Sequence, residues 1–572
     1  MLSEGFELQV ERLGPLPVVN HFLDRLKVVS LLDAAVPTLD RRCRLSYALR
    51  LGVLLRSIIV ERAPIYRQQE SVAPFAPEGF GLSAEDADGL NDDQIGRALD
   101  RLFDADRGSL LTELLLVVAT EFGVSFSEFH NDSTSVSVTG QYVDATGRRM
   151  RGKRAPWITY GYSKDHRPDL KQLLFILTST ADGGIPVHFR NADGNANDAK
   201  THIESWEALN RLTGDPNFLY VADSKLCTAE NMDYIQRRGG RFITVMPRSR
   251  AEDKEFRAWI QTHEPEWQIA WDRPNPRRAE GPRDVWRVYR FPIPSCESWP
   301  VIWVWSSLST LRQERRRRER IGRAVEELEQ LQRRLDGPRP RKRTRAHLDD
   351  EIQAILRHRR VWRYIHVKIE EREEHKYRQA TPGRPGQQTR FRRVTKRRWS
   401  LSWTIDEDRI AYDHKSDGMY PLLTNDRSMA PEEVLAAHKR QPAIEKRFEQ
   451  FKTVHEIAPV FLKNEGRIEA LFFLYFVALL VQALIEREVR LGMQRGSLAS
   501  LPIYPEDRAC RHPTTEQVLR LFHEVGCHRL LDRAGTELAT FRPQLTELQS
   551  QVLDLLGIRR SAYSAWTGVD AE

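Results

Sequence analysis

The sequence predicts an α/β protein: a mixed sheet split by a long insertion, behind an all-helical front domain. Three observations carry that reading. Val124 to Asp132, Leu173 to Thr178 and Ile185 to Arg190 read as strands, a helical stretch follows to about Leu212, and Phe218 to Asp223 reads as a fourth strand. Pro442 opens a helix in which Ile444, Phe448 and Phe451 form one apolar stripe, with Glu445, Glu449 and Lys452 at the same spacing one position later. Between Asp223 and Glu445 lie tryptophan-rich alternating segments, a heptad-like helical hairpin and basic strands.

At about 150 residues per domain, 572 residues predict roughly three or four domains or subdomains, enough for a sizeable core. A 40% apolar content with 13 tryptophans excludes a disordered chain. The balance of 88 basic against 80 acidic residues gives +8 and an isoelectric point near 9.2, which makes nucleic acid a candidate partner. Five scattered cysteines argue against a disulfide framework. The one-residue gap between Cys510 and His512 is poor zinc-ligand spacing beside Cys527 and His528. The N-terminus shows acids and no apolar h-region. Ala470 to Ile485, 16 residues including Gln482, falls short of the roughly 20 a bilayer span requires. It reads as a buried helix of a soluble, cytoplasmic protein.

In chain order, residues 1–120 form the front domain. Val18 to Leu32 and Leu45 to Val60 are amphipathic, and Asn91 caps a third helix with Gln94 at the third position. Such a module could read DNA or mediate dimerisation. Residues 121–235 hold the four strands, with Asp182-Gly183-Gly184 as a hairpin turn and Asn197 or Asp198 as a helix cap. Residues 236–427 are the insertion. Residues 241–306 read as strands, Leu311 to Leu335 and His347 to Arg360 as the helical hairpin, and Val367 onward, Phe391 to Ile405 and Met419 to Thr424 as further strands. Residues 428–500 return to the core with the Glu445 helix, and residues 501–572 read as a mostly helical tail.

Three strands, a helix and a fourth strand is the order of a ribonuclease H-like fold, in which the first and fourth strands are neighbours. Asp132 and Asp223, each ending its predicted strand, would then be close in space. Carboxylates crowded together raise one another's pKa unless cations neutralise them, and hard oxygen ligands select Mg²⁺ or Mn²⁺. Asp165, Asp169, Asp193 and Asp198 are competing acids that end no predicted strand.

On these residues the chain resembles bacterial insertion-sequence transposases of the DDE type, in which a long insertion precedes the third acid. Glu445 and Lys452 match the Glu-x6-Lys half of that group's helix motif. The other half departs: His438 stands where the motif has Tyr, Gln441 where it has Arg, and Arg440 lies one position early. His130-Asn131-Asp132-Ser133-Thr134 and Tyr220-Val221-Ala222-Asp223-Ser224 are similar to the aspartate-bearing strands, Tyr160 to Lys171 is similar to a stretch typical of one subfamily, and residues 1 to 110 resemble an uncharacterised helical domain that often precedes the core.

The resemblance implies Asp132, Asp223 and Glu445 as catalytic residues and ligands of two Mg²⁺ ions, with Mn²⁺ able to substitute. It implies cleavage at element ends and strand transfer into target DNA, by a homodimer at the nucleoid on double-stranded DNA. Lys452, Lys164, Arg167 and Lys171 would contact phosphates, although Lys452 could simply pair with Glu449. Arg392, Arg393, Lys396 and Arg397 form a further DNA-binding candidate by charge alone, in a cluster with no acids beside it in sequence. The rival readings are a catalytically silent DNA-binding protein and a hydrolytic nuclease of the same fold.

Overall fold

A computed structural model describes residues 6–39, 43–61, 63–83, 85–86, 90–275, 280–337, 344–455, 457, 462–532, 534 and 536–564. The chain divides into two compact units: residues 1–244 with 436–572, and residues 245–435. The segments read as front domain, core and tail therefore share one unit.

In the first unit the front is mostly helical. Asn91 caps the helix Asp92–Asp104 by accepting the Gln94 N–H, and Tyr47–Val60 is almost wholly buried. The segment read as one helix from Val18 is two, Leu16–Arg25 and Val28–Ala35. They break at Lys27, whose φ of 54° is left-handed and cannot continue a helix. The front is not all-helical, nor the tail mostly so. Strand Glu7–Arg12 pairs antiparallel with Gly526–Leu531, which pairs with Glu537–Phe541. A partner more than 500 positions away leaves no local trace in sequence.

The main sheet of this unit has the order Pro186–Ala192, Lys171–Thr180, Glu128–Val138, Leu219–Ala222, Arg241–Val245. The first three are antiparallel, and the last two continue parallel from Glu128–Val138. Helices Ala229–Arg237 and His202–Thr213 supply the crossovers that parallel pairing requires. The Asp182-Gly183-Gly184 hairpin holds, with Gly183 and Gly184 at positive φ. A buried arginine locks it: Arg447 donates to the carbonyls of Gly183 and Gly184 at 2.9 and 3.0 Å, to Gln450 and to the buried Glu486.

The helix read as Ala470 to Ile485 extends over Glu465–Arg495, 31 residues. Length and composition would let it cross a membrane, but its apolar window is 89% buried inside the protein. The expectation that it is too short is thus corrected, and its burial is what holds. Phe472 meets Phe175, and Gly492 lets the Leu555 carbonyl approach where a Cβ would stand 2.3 Å from it.

The second unit contains the antiparallel strands Met419–Thr424, Val301–Ser306, Asp284–Arg290 and Gln268–Arg273, paired in that order. The stretch read as continuous strands also holds a helix, Ala251–Trp259, whose Phe256 stacks on Trp303 at 3.7 Å. Its two aromatic residues, Phe256 and Trp259, are three positions apart and stack on one helical face. The helical hairpin is Ser307–Asp336 with Arg345–His358, joined through Ile321, Leu328, Leu331, Leu335, Leu348 and Ile352. Arg317 on the first of these helices is buried and pairs with Asp417. Ile365–Gln379 and Phe391–Ile405 form a two-stranded antiparallel ribbon of 15 pairs.

Candidate active site

The strand Glu128–Val138 is longer than the sequence suggested, so Asp132 is not a strand end in its pairing with Lys171–Thr180, where it faces Leu177. Serines and threonines from 133 to 137 alternate with no strong apolar period, which hid the continuation. On the other side Asp132 is a boundary. The parallel ladder to Leu219–Ala222 ends at the pair Asn131–Ala222, so Asp132 and Asp223 are the next residues on two strands about 4.8 Å apart. Both stand at the carboxyl end of the short strand, where α/β sheets open their crevices.

A third acid joins them, and it is Asp198. This residue opens the short helical turn Asp198–Thr201, with Asn197 capping it by accepting the Ala199 N–H. Its Oδ2 accepts the Ser133 hydroxyl at 3.0 Å. Lys164 reaches into the same place: its ammonium donates to the Ser133 carbonyl at 2.6 Å and the Ser133 hydroxyl at 2.7 Å, and lies 3.4 Å from Asp198 and 4.0 Å from Asp132. Burial pushes the Asp132 carboxyl up to about 6; the neighbouring Asp223 and Asp198 carboxylates add to the rise, while Lys164 and the Ser133 N–H oppose it. Asp223 accepts the Lys225 N–H at 2.9 Å. His202 hydrogen-bonds Tyr220 beneath them and is held down at about 4 by burial, despite the attraction of Asp223 and Asp198.

Glu445 sits in the helix Pro442–Glu449, which packs on the strands of Asp132 and Phe175. Phe451 stacks on Phe175 at 4.4 Å. Phe175 pairs with Thr134, and Thr134 shares a sheet face with Asp132 because side chains alternate. The helix therefore covers the face that Asp132 occupies. Glu445 itself is exposed and, among the described residues, makes no hydrogen bond or ion pair. The helix continues as a π-turn, Gln450–Val454, which interrupts the spacing from Glu445 and Glu449 to Lys452; such turns recur at functional sites. Lys452 pairs with Asp165, the neighbour of Lys164, and not with Glu449.

The remaining basic candidates are dispersed. Arg167 is exposed and forks onto Asp169 at 2.8 and 2.9 Å. Lys171 donates to the carbonyls of Gln141 and Tyr142. Arg392, Arg393 and Lys396 are exposed on the ribbon, whereas Arg397 faces Glu371 and Glu373 across it at 3.8 and 3.5 Å. The cluster thus has acids beside it after all, supplied by the opposite strand. Arg440 forks onto Glu128. Bonds from His130 and Arg440 hold Glu128 down at about 2 against the effect of burial, so Arg440 serves the fold.

Two other features fall outside this cluster. Among the described residues, one group of three ligand-type side chains has its atoms within 4.8 Å of one another: Glu252, Cys296 and Glu297. Arg250 already donates to all three, so they need no cation. A cavity of about 840 Å³ is lined by Arg107, Arg154, Arg190 and Arg211 and touches none of the three aspartates. Each of its arginines is paired with an acid.

Comparison with known proteins adds little to this geometry. Residues 8–116 match a family model described as a domain of unknown function, DUF4277. No curated protein matches the chain. Among solved structures, a piggyBac transposase synaptic complex with hairpin DNA is 7% identical, with a TM-score of 0.33, over 99% of this chain and 85% of that one. A Mos1 transposase paired-end complex with the left transposon end is 12% identical, with a TM-score of 0.13, over 34% of this chain and 56% of that one. Likenesses this distant carry no weight for the chemistry.

Asp198, ranked in the sequence below the strand-end acids, lies beside Asp132 in the structure. Its signal was present: an acid directly after a helix-capping asparagine, on the segment that leads to the Asp223 strand.

Proposed function

We propose that this chain is a DNA transposase with a ribonuclease H-like core, cleaving phosphodiesters at element ends and joining them to target DNA. The observation that carries the reading is the parallel register that brings Asp132 beside Asp223. The donor set fits hard divalent cations. Half-buried carboxylates lie side by side there, and burial together with the neighbouring Asp223 and Asp198 carboxylates holds Asp132 well above its usual range. Asp132 and Asp223 would hold Mg²⁺ or Mn²⁺, with Glu445 as the third ligand or Asp198 in its place. When bound, two such ions supply Lewis-acid stabilisation and an activated nucleophile for phosphoryl transfer.

The chain's own groups have distinct tasks. Asp132 and Asp223 present anionic oxygens from a rigid sheet, so little reorganisation is needed during reaction. Lys164 neutralises part of their charge in the absence of substrate. Its ammonium can turn to a DNA phosphate once cations take over that task, and Lys452 can do the same by leaving Asp165. Glu445, exposed on the helix that packs on the Asp132 strand, is the candidate that would turn toward the pair. A homodimer on double-stranded DNA, working in the cytoplasm, belongs to the same proposal.

The test is nicking of a supercoiled plasmid carrying the DNA that flanks the reading frame, in Mg²⁺. Asp132→Asn and Asp223→Asn should each reduce nicking by factors of hundreds while leaving DNA binding nearly intact. Retention of more than about a tenth of the wild-type rate by either variant would remove that residue from the site.

A further inference from the structure

The ribbon formed by Ile365–Gln379 and Phe391–Ile405 changes character along its length. At about 3.4 Å per residue, its 15 pairs extend roughly 50 Å. The near half is anchored: Ile365, Val367, Ile369, Trp399, Leu401 and Trp403 pack on the helical hairpin. Beyond the pair His375–Thr395 no residue joins that core, and nearly every side chain is exposed.

Charge changes at the same place. No Asp or Glu occurs from His375 to Ile405, which holds nine Lys and Arg residues. Residues directly opposite one another in an antiparallel pair share a face. Arg378 therefore stands opposite Arg392 on one face, with Lys376 beside them, and Lys396 lies further along that face opposite Glu374. Like charges directly opposite destabilise a ribbon, and among the described residues Arg378, Arg392 and Lys396 have no ion pair, while Lys376 has Glu374. On the other face Tyr377 and Phe391 are 69% and 55% exposed, with Arg393 opposite Tyr377. Charge on a bare ribbon also discourages strand-to-strand aggregation. Either sign would serve that purpose, however, and it gives no reason for two exposed aromatic rings.

We propose that the distal ribbon is an arm that lies in the major groove of duplex DNA. It turns the Tyr377–Phe391–Arg393 face to the base edges and reaches the phosphates on either lip from Arg378 and Arg392, one on each strand. The major groove is about 12 Å wide and admits a two-stranded ribbon. Phosphates relieve the repulsion between the opposed arginines, and the aromatic rings gain apolar contact with thymine methyls. This assignment rests on the reading of the chain as a DNA-acting protein.

The test compares the full chain with the variant K376Q/R378Q/R392Q/K396Q and with Y377A/F391A. The charge variant should bind both flanking and random duplexes more weakly and lower the log–log salt slope by about two to four. Its melting temperature should stay the same or rise, because the tip lies outside the apolar core. The aromatic variant should lose dimethyl sulfate protection at guanine N7, which reports the major groove. An unchanged slope overturns the proposal, and so does a change confined to adenine N3 in the minor groove. If the slope is unchanged while Mg²⁺-dependent nicking persists, the arm is wrong and the transposase reading stands. If the wild-type chain binds no duplex, both fall.

Discussion

Replacing Asp132 by Asn should stabilise the protein at neutral pH, which is unusual for a substitution in a sheet. Burial and two neighbouring carboxylates raise this carboxyl from 3.8 to about 6. Its charged form is therefore disfavoured in the folded state relative to the unfolded chain. A group with a raised folded pKa contributes stability below its unfolded value, and that contribution is lost as the pH rises through the folded value. A shift of about two units corresponds to about 3 kcal/mol at 1.36 kcal/mol per unit. Since a quarter of the side chain meets solvent, the measured gain should fall between about 1 and 3 kcal/mol. Urea melts followed by circular dichroism at pH 8 and pH 4 supply the assay. Asp132→Asn should be more stable than wild type at pH 8, with the gap closing toward pH 4. A variant less stable than wild type at pH 8 would show that Lys164 overcompensates the carboxylate.

Further outcomes concern the third acid and the frame that carries it. Glu449→Gln should keep plasmid nicking, whereas Glu445→Gln should abolish it, or Asp198→Asn should if that residue is the third ligand instead; a dead Glu449→Gln beside an active Glu445→Gln would mean the register along the helix Pro442–Glu449 has been misjudged. Arg447→Met should cost about 1 to 3 kcal/mol in urea melts for each of the two hairpin carbonyls it leaves without a buried donor, while Lys446 and Arg490 keep Glu486 paired. Leu331→Ala, at the centre of the helical hairpin, should cost about 2 to 5 kcal/mol; a loss under 1 kcal/mol would mean the hairpin is not packed as described.

What could be read from sequence was local or periodic. Asn91 and Asn197 announce their helices because a side-chain oxygen must satisfy an orphan N–H within three residues. Asp182-Gly183-Gly184 announces its hairpin because two successive positive φ values favour glycine. The juxtaposition of Asp132 and Asp223 followed from strand order alone. What could not be read depends on distant partners. Glu7–Arg12 finds its partner only in the tail, and Glu371 and Glu373 meet Arg397 only once the ribbon has folded. Lys164 was legible as a cation but not as one turned inward onto Asp132 and Asp198, because that requires the loop to fold back over Ser133. Asp198 ranked below the strand-end acids because it ends no strand; it opens a helical turn.

Anomalous diffraction from crystals soaked in Mn²⁺ decides whether Asp132 and Asp223 hold a divalent cation between them. A manganese peak should appear within coordination distance of oxygens of both carboxylates, with Lys164 displaced and Glu445 or Asp198 completing the ligand set. Crystals that take up manganese elsewhere, and leave Lys164 seated between Asp132 and Asp198, would contradict it.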